Sequence, residues 1–148
     1  MIAAVFAADI QDPAEFLSRL VRAASLGQKA DLPPASVPPK VRTWMEKYGE
    51  SLEKTGPANL GPAPAWGFIT ERADATDNLR HLYLHVFQAP PDDVVYLPVT
   101  ADKVKACRAM TEACAPITFH GDGVGEIVIP LPKTRDPLDT VISVDIEK

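Results

Sequence analysis

His81-Leu-Tyr-Leu-His-Val-Phe-Gln88 decides how the rest of the chain is read. Leu82, Leu84 and Val86 alternate with His81, Tyr83, His85 and Phe87, the mark of an extended strand with two distinct faces. Outward from it, similar short runs lie at 66–72, 94–97, 104–110, 117–120, 126–131 and 140–146. Turn residues such as Pro90-Pro-Asp-Asp93 and Gly121-Asp-Gly123 separate them. In the last run Val141, Ser143 and Asp145 oppose Ile142, Val144 and Ile146. No helix-length pattern interrupts these strands, which disfavours a parallel α/β sheet. The expectation is a mainly β fold, an antiparallel two-sheet β-sandwich over 64–148, preceded by two α-helices in a segment at 1–63.

Upstream, Asp12 is a good N-cap, Pro13 suits the first helical position, and Glu15 completes a capping-box-like arrangement. Phe16, Leu17, Leu20, Val21 and Ala24 then form one apolar stripe, and Gly27 supplies a stop. A polar, proline-rich loop is expected at 28–37. A second helix starts at Pro38-Pro39, with Val41, Trp44, Met45, Tyr48 and Leu52 on one face. Gly56-Pro57 breaks it, and the Pro/Gly-rich stretch to Pro64 is the best domain boundary in the sequence.

Bulk composition narrows the classes. At 148 residues, one domain plus a short appendage is expected, and a (β/α)8 barrel of roughly 250 residues does not fit. The 46% apolar content supports a packed core. Fifteen basic against 20 acidic residues leave a formal charge of −5, which argues against a nucleic-acid partner. The 15 prolines, about twice the usual share, imply short strands and rigid connections. No apolar run approaches the ~20 residues that span a bilayer, so no membrane role is expected. The apolar start at 1–8 is short and lacks a basic flank, so it is not read as a signal peptide, and the compartment stays open.

Each candidate site has a plainer reading beside it. His81 and His85 lie roughly 13 Å apart on a strand, at ~3.3 Å per residue, too far for one metal ion, so neighbours are expected to satisfy them. Cys107, Cys114 and His120 have no activating partner for nucleophilic work, and two unlinked buried thiols are expected. Gly121-Asp-Gly-Val-Gly125 reads as a hairpin turn rather than a phosphate loop. Asp92-Asp93 and Asp136/Asp139 read as solvated turns. Trp66, Tyr83 and Tyr96, with Phe87, are candidates for stacking against a sugar, although aromatics in a small sandwich usually belong to the core. Trp44 and Tyr48 are candidate interface residues, and Trp44 and Trp66 candidates for the contact between helices and sandwich.

Three stretches, 37–51, Leu82-Tyr-Leu-His-Val-Phe87 running on to Val94-Val-Tyr-Leu-Pro98, and Asp136-Pro-Leu-Asp-Thr-Val-Ile-Ser-Val144, resemble in that order the C-terminal part of α-L-fucosidases. That family is a glycoside hydrolase with a (β/α)8-type barrel followed by a β-sandwich. The resemblance extends to the first helix, the Gly49-Glu50 pair and Trp66-Gly67. It implies a sandwich domain without the catalytic carboxylates, which lie upstream in the barrel, so no catalytic residue is expected here. The final barrel strand should sit near 28–32, where Gln28-Lys-Ala-Asp-Leu32 is too polar for a buried strand. A truncated gene product or a relative that lost its barrel is expected, inactive alone and needing no cofactor or metal. The implied role is structural or in assembly, with a catalytic barrel chain or self-association through the helices as partner. The alternatives are a stand-alone carbohydrate-binding module meeting a fucosylated glycan, and a fragment of an active retaining fucosidase.

Overall fold

The computed structural model describes residues 12–28, 37–61, 63–73 and 76–148. The apolar start at 1–8 and the expected loop at 29–36 lie outside the described residues. Helices α1 (Pro13–Ser25) and α2 (Pro39–Tyr48) precede strands β1 (Thr55–Pro57), β2 (Gly67–Arg72), β3 (Leu79–Val86) and β4 (Val94–Leu97). Then come β5 (Val104–Ala109), β6 (Ala115–Pro116), β7 (His120–Gly121), β8 (Ile127–Pro130) and β9 (Thr140–Glu147). The strands form two antiparallel sheets, ordered β1-β2-β3-β9-β5-β6 and β4-β8-β7. The mainly β, two-sheet architecture with two leading helices is as the sequence indicates. Among the described residues no helix is long and apolar enough to cross a membrane.

The alternation in β3 and β9 explains the layers. These eight-residue strands lie side by side in the middle of the larger sheet, with Leu82 opposite Val144 and Leu84 opposite Ile142. Leu82, Leu84, Val86, Ile142, Val144 and Ile146 point one way and meet Val95, Leu97, Ile127 and Ile129 of the smaller sheet. On the other face Tyr83 and Val141 pack with Phe16, Leu17 and Val21 of α1 and with Val41 and Trp44 of α2. The result is three layers, helices on a six-stranded sheet on a three-stranded sheet, with the larger sheet covered on both faces. Helices of 13 and 10 residues are marginal alone, so docking holds them. Burying five side chains of this kind contributes on the order of 10 kcal/mol before the entropy of ordering is counted.

α1 begins at Pro13 as its sequence indicates, but the Asp12 side chain makes no capping bond, and Glu15 instead holds Arg19 at 2.8 Å. Its end is a Schellman turn. Gly27 sits at φ +75°, with Gln28 N–H donating to Ala23 O and Gly27 N–H to Ala24 O. Two strand readings need correction. Thr55–Pro57, read as a break, is an edge strand of the larger sheet, where a proline needs no ladder donor. The six-stranded sheet therefore takes in residues ahead of 64. The strand expected at 117–120 is two two-residue pairings, β6 on β5 and β7 on β8, because the chain changes sheets there. Ile117 and Phe119, between them, pack against the inter-sheet core.

Gly67 fixes the closeness of β2 to β3, since a Cβ there would lie 1.8 Å from the carbonyl oxygen of His85. Gly67→Ala is expected to lower unfolding free energy by about 3 kcal/mol in urea titrations, because backbone must move to admit the methyl group. A change smaller than about 0.5 kcal/mol would contradict this packing.

Candidate functional site

The buried polar chemistry of the described residues lies where α2 meets the larger sheet. His85 projects from β3 into the helix layer, the face that the alternation assigns it. Asp139 sits in the turn entering β9, where the Asp136 carboxylate accepts from the Leu138 N–H at 2.8 Å and from the Asp139 N–H at 3.4 Å. That Asx turn aims the Asp139 carboxylate inward. His85 Nδ1 and Asp139 Oδ2 lie 2.6 Å apart, and neither side chain is exposed. His85 Nε2 lies 3.1 Å from Thr70 Oγ1, whose hydroxyl donates to Ser51 O at 2.7 Å. Trp44 Nε1–H donates to Asp139 O at 3.0 Å, and its ring lies 6.3 Å from the imidazole. One network thus joins α2, the turn after it, β2, β3 and β9. Burial pushes the Asp139 carboxyl above the usual carboxylate range, His85 opposes the shift, and Asp136 adds to it.

Thr70, His85 and Asp139 follow the hydroxyl–imidazole–carboxylate order of a nucleophilic relay. They cannot work as one here. Thr70 and Ser51 are fully buried, and the Thr70 proton goes to a backbone carbonyl, so no substrate reaches an activated oxygen. The sequence reading has Asp139 in a solvated turn and leaves the burial of His85 open. In the structure both side chains are fully buried, which corrects the reading of Asp139. The missed signal was the β3–β9 register, which sets His85 opposite Val141 and so brings Asp139, just ahead of β9, beside the imidazole.

A second cluster lies on the surface. His81 bridges Asp145, 2.7 Å from Nδ1, and Asp77, 2.9 Å from Nε2, while Arg108 reaches Asp145 at 3.2 Å. Burial disfavours the charged ring, but the hydrogen bonds and charges of Asp77 and Asp145 outweigh it and raise the His81 pKa. Neighbours thus satisfy both histidines, as expected. Among the described residues no group of three or more His, Cys, Asp or Glu is placed to hold a metal ion.

The sugar-stacking candidates are scattered. Trp66 is 8% exposed and belongs to the core between the sheets. Tyr83 is 4% exposed on the helix side, its hydroxyl accepting from Arg72 at 3.2 Å. Tyr96 is 46% exposed on β4, opposite Val128. Trp66 and Tyr83 offer no open ring face, so the three do not form a platform. Trp44 is buried and Tyr48 half-buried, and both pack within the chain between helix and sheet, whereas Trp66 takes no part in that contact. The cysteines are unpaired, but only Cys107 is buried. Burial, opposed by Arg108, pushes its thiol up to about 12, leaving no thiolate for chemistry at neutral pH. The 121–125 segment is a hairpin turn, as expected, with the Asp122 carboxylate accepting from Val124 and Glu126 N–H groups.

No protein-family model matches this chain, and no curated protein matches it in sequence. Solved structures do match it in fold. An α-L-fucosidase of Bacteroides thetaiotaomicron, a GH29 enzyme trapped as a covalent intermediate, superposes with a TM-score of 0.77 at 20% identity. The match covers 93% of this chain and 33% of that one. This chain has the fold of part of an α-L-fucosidase. Isoenzyme 1 from Paenibacillus thiaminolyticus gives 0.74 at 23% identity over 95% of this chain and 36% of its own. The enzyme from Vibrio sp. strain EJY3 gives 0.67 at 20% identity over 93% and 26%. The chain thus spans about a third of the length of these fucosidases or less, consistent with the C-terminal region that its sequence resembles.

The His81 cluster makes a measurable prediction. Its imidazole should titrate above 6.5 in an NMR pH series, and Asp145→Asn should bring the midpoint down. Stability from this contact is present below the unfolded pKa and is lost as pH rises through the folded one. An unchanged midpoint in Asp145→Asn would contradict the pairing.

Proposed function

We propose that this chain is a non-catalytic C-terminal β-sandwich domain of the α-L-fucosidase-like glycoside hydrolases, with a structural role beside a catalytic barrel. The observation that carries the reading is the extent of the fold likeness, nearly all of this chain against about a third of the fucosidases. The sealed Thr70–His85–Asp139 relay supports it, since this arrangement, though in catalytic order, is occupied in holding helices to sheet. Retaining glycoside hydrolysis needs two carboxyl groups about 5–5.5 Å apart across a substrate cleft. The fucosidase resemblance assigns neither of them to a residue of this chain.

The helix layer offers the surface for the barrel. Leu20 and Ala24 of α1, Met45 of α2, and Leu52 just after it line a groove of ≈ 490 Å³ on the helices. Met45 is exposed in it although it shares the α2 stripe with buried Trp44. An apolar groove of this kind suits the flank of a barrel, supplied by another part of the polypeptide or by a second chain.

The test is direct. The purified chain should release no nitrophenol from p-nitrophenyl α-L-fucoside above the buffer rate, and L-fucose should produce no saturable amide shifts in its NMR spectrum. Turnover by the chain alone would overturn the reading. Saturable shifts centred on Tyr96 would replace it with the carbohydrate-binding module.

A further inference from the structure

We infer that folding traps one proton between His85 and Asp139, so that docking α2 onto the sheet takes up a proton from neutral or alkaline solution. The argument is an inventory of donors. A threonine hydroxyl has one proton to give. Thr70 gives it to Ser51 O at 2.7 Å, so it turns only a lone pair toward His85, and Nε2 must carry its own hydrogen across the 3.1 Å contact. The other ring nitrogen faces Asp139 Oδ2 at 2.6 Å, and two bare lone pairs at that distance would repel. A second proton therefore lies between Nδ1 and Oδ2. Whichever atom holds it, imidazolium with carboxylate or imidazole with carboxylic acid, the pair is neutral overall.

Neutrality also suits the site. Asp139 Oδ1 is buried and has no hydrogen-bond partner among the described residues. A full negative charge there beside a neutral ring would be unpaired and dry, which is costly. Among the described contacts, none brings a lysine or arginine to the Asp139 carboxylate. Asp136, in the same turn, is acidic and favours keeping the proton. Tyr48 on α2 and Tyr83 on β3 have their phenol pKa values raised, chiefly by burial, and stay neutral in the working range. Beyond them Arg72 is shared by Tyr83 and Glu50.

In the unfolded chain an ordinary carboxyl titrates near 3.9 and an ordinary imidazole near 6.5. Between about pH 4 and 6.5 the unfolded pair holds the same number of protons as the folded one, so this pair adds no pH dependence. Above ~6.5 the unfolded imidazole loses its proton while the folded pair keeps it, and the folding constant falls about tenfold per pH unit. The loss ends when the folded pair itself releases the proton. His81 adds a loss of the same sign above 6.5, so the comparison must be made between variants that share it.

Asp139→Asn separates the proton from the packing. Its amide can donate to Nδ1 of a neutral imidazole that carries hydrogen on Nε2, restoring both bonds without an added proton. Urea unfolding of the wild type and Asp139→Asn from pH 5 to 9 is the test. The ratio of the variant's folding constant to the wild type's should rise about tenfold per unit across the range. Below ~6.5 the variant must shed its imidazole proton to fold, and above ~6.5 the wild type must take one up. Parallel profiles across the whole range would overturn the inference. Should the variant fail to fold, ¹⁵N imidazole spectra of the wild type at pH 7.5 decide. A proton on Nε2 and a second, exchange-protected proton between Nδ1 and Asp139 Oδ2, seen as a low-field proton resonance, are expected. A bare Nε2, or the absence of that second proton, would overturn the inference.

Discussion

Asp139 buries a carboxyl group with zero exposure in a chain whose net charge is already negative, and the surrounding structure is arranged around that fact. Its backbone carbonyl receives the Trp44 indole, its Oδ2 faces His85, and its turn is shaped by Asp136. A lone buried carboxylate would be costly, so each of these partners must be in place at once. The helix layer cannot leave without exposing Asp139, Trp44 and His85 together. The two apolar cores on either face of the larger sheet supply most of the driving force. The polar network fixes where α2 sits on it, because apolar packing alone would tolerate sliding.

Periodicity explains how much of this was legible in the sequence. β3 and β9 alternate cleanly, and the two faces separate as that alternation indicates; which face meets the helices came only with the structure. The Phe16, Leu17, Val21 stripe and the Gly27 stop were equally plain. Elements too short to show a period were not. β1, β6 and β7 have two or three residues each, and β1 carries the glycine and proline that ordinarily mark a loop. Asp139 was misplaced for a different reason. An Asp-Pro-Leu-Asp turn looks solvated until its register against β3 brings an imidazole beside it, and that is a property of pairing across 54 residues. The scatter of the aromatic candidates was hidden for a similar reason, since composition says that rings are present but not which side of which sheet they occupy.

Those placements also shape the functional reading. A sugar-binding face needs open rings side by side, and Tyr96 stands apart from Trp66 and Tyr83. A hydrolase needs carboxyl groups facing a cleft, and the Asp139 carboxyl, pushed upward by burial, faces the inside of the protein. What remains prominent is a rigid three-layer body whose helices show an apolar groove to the outside, the form expected of a domain that braces a larger catalytic unit.

The account rests on helices and sandwich behaving as one cooperative body, and native-state amide exchange measures that residue by residue. The amides of α2 should open with the same free energy as those of β3 and β9, equal to global unfolding. Protection of α2 that is lost at a much lower free energy while β3 and β9 stay closed would show that the helix layer is only loosely attached, contradicting the role assigned to Trp44, His85 and Asp139.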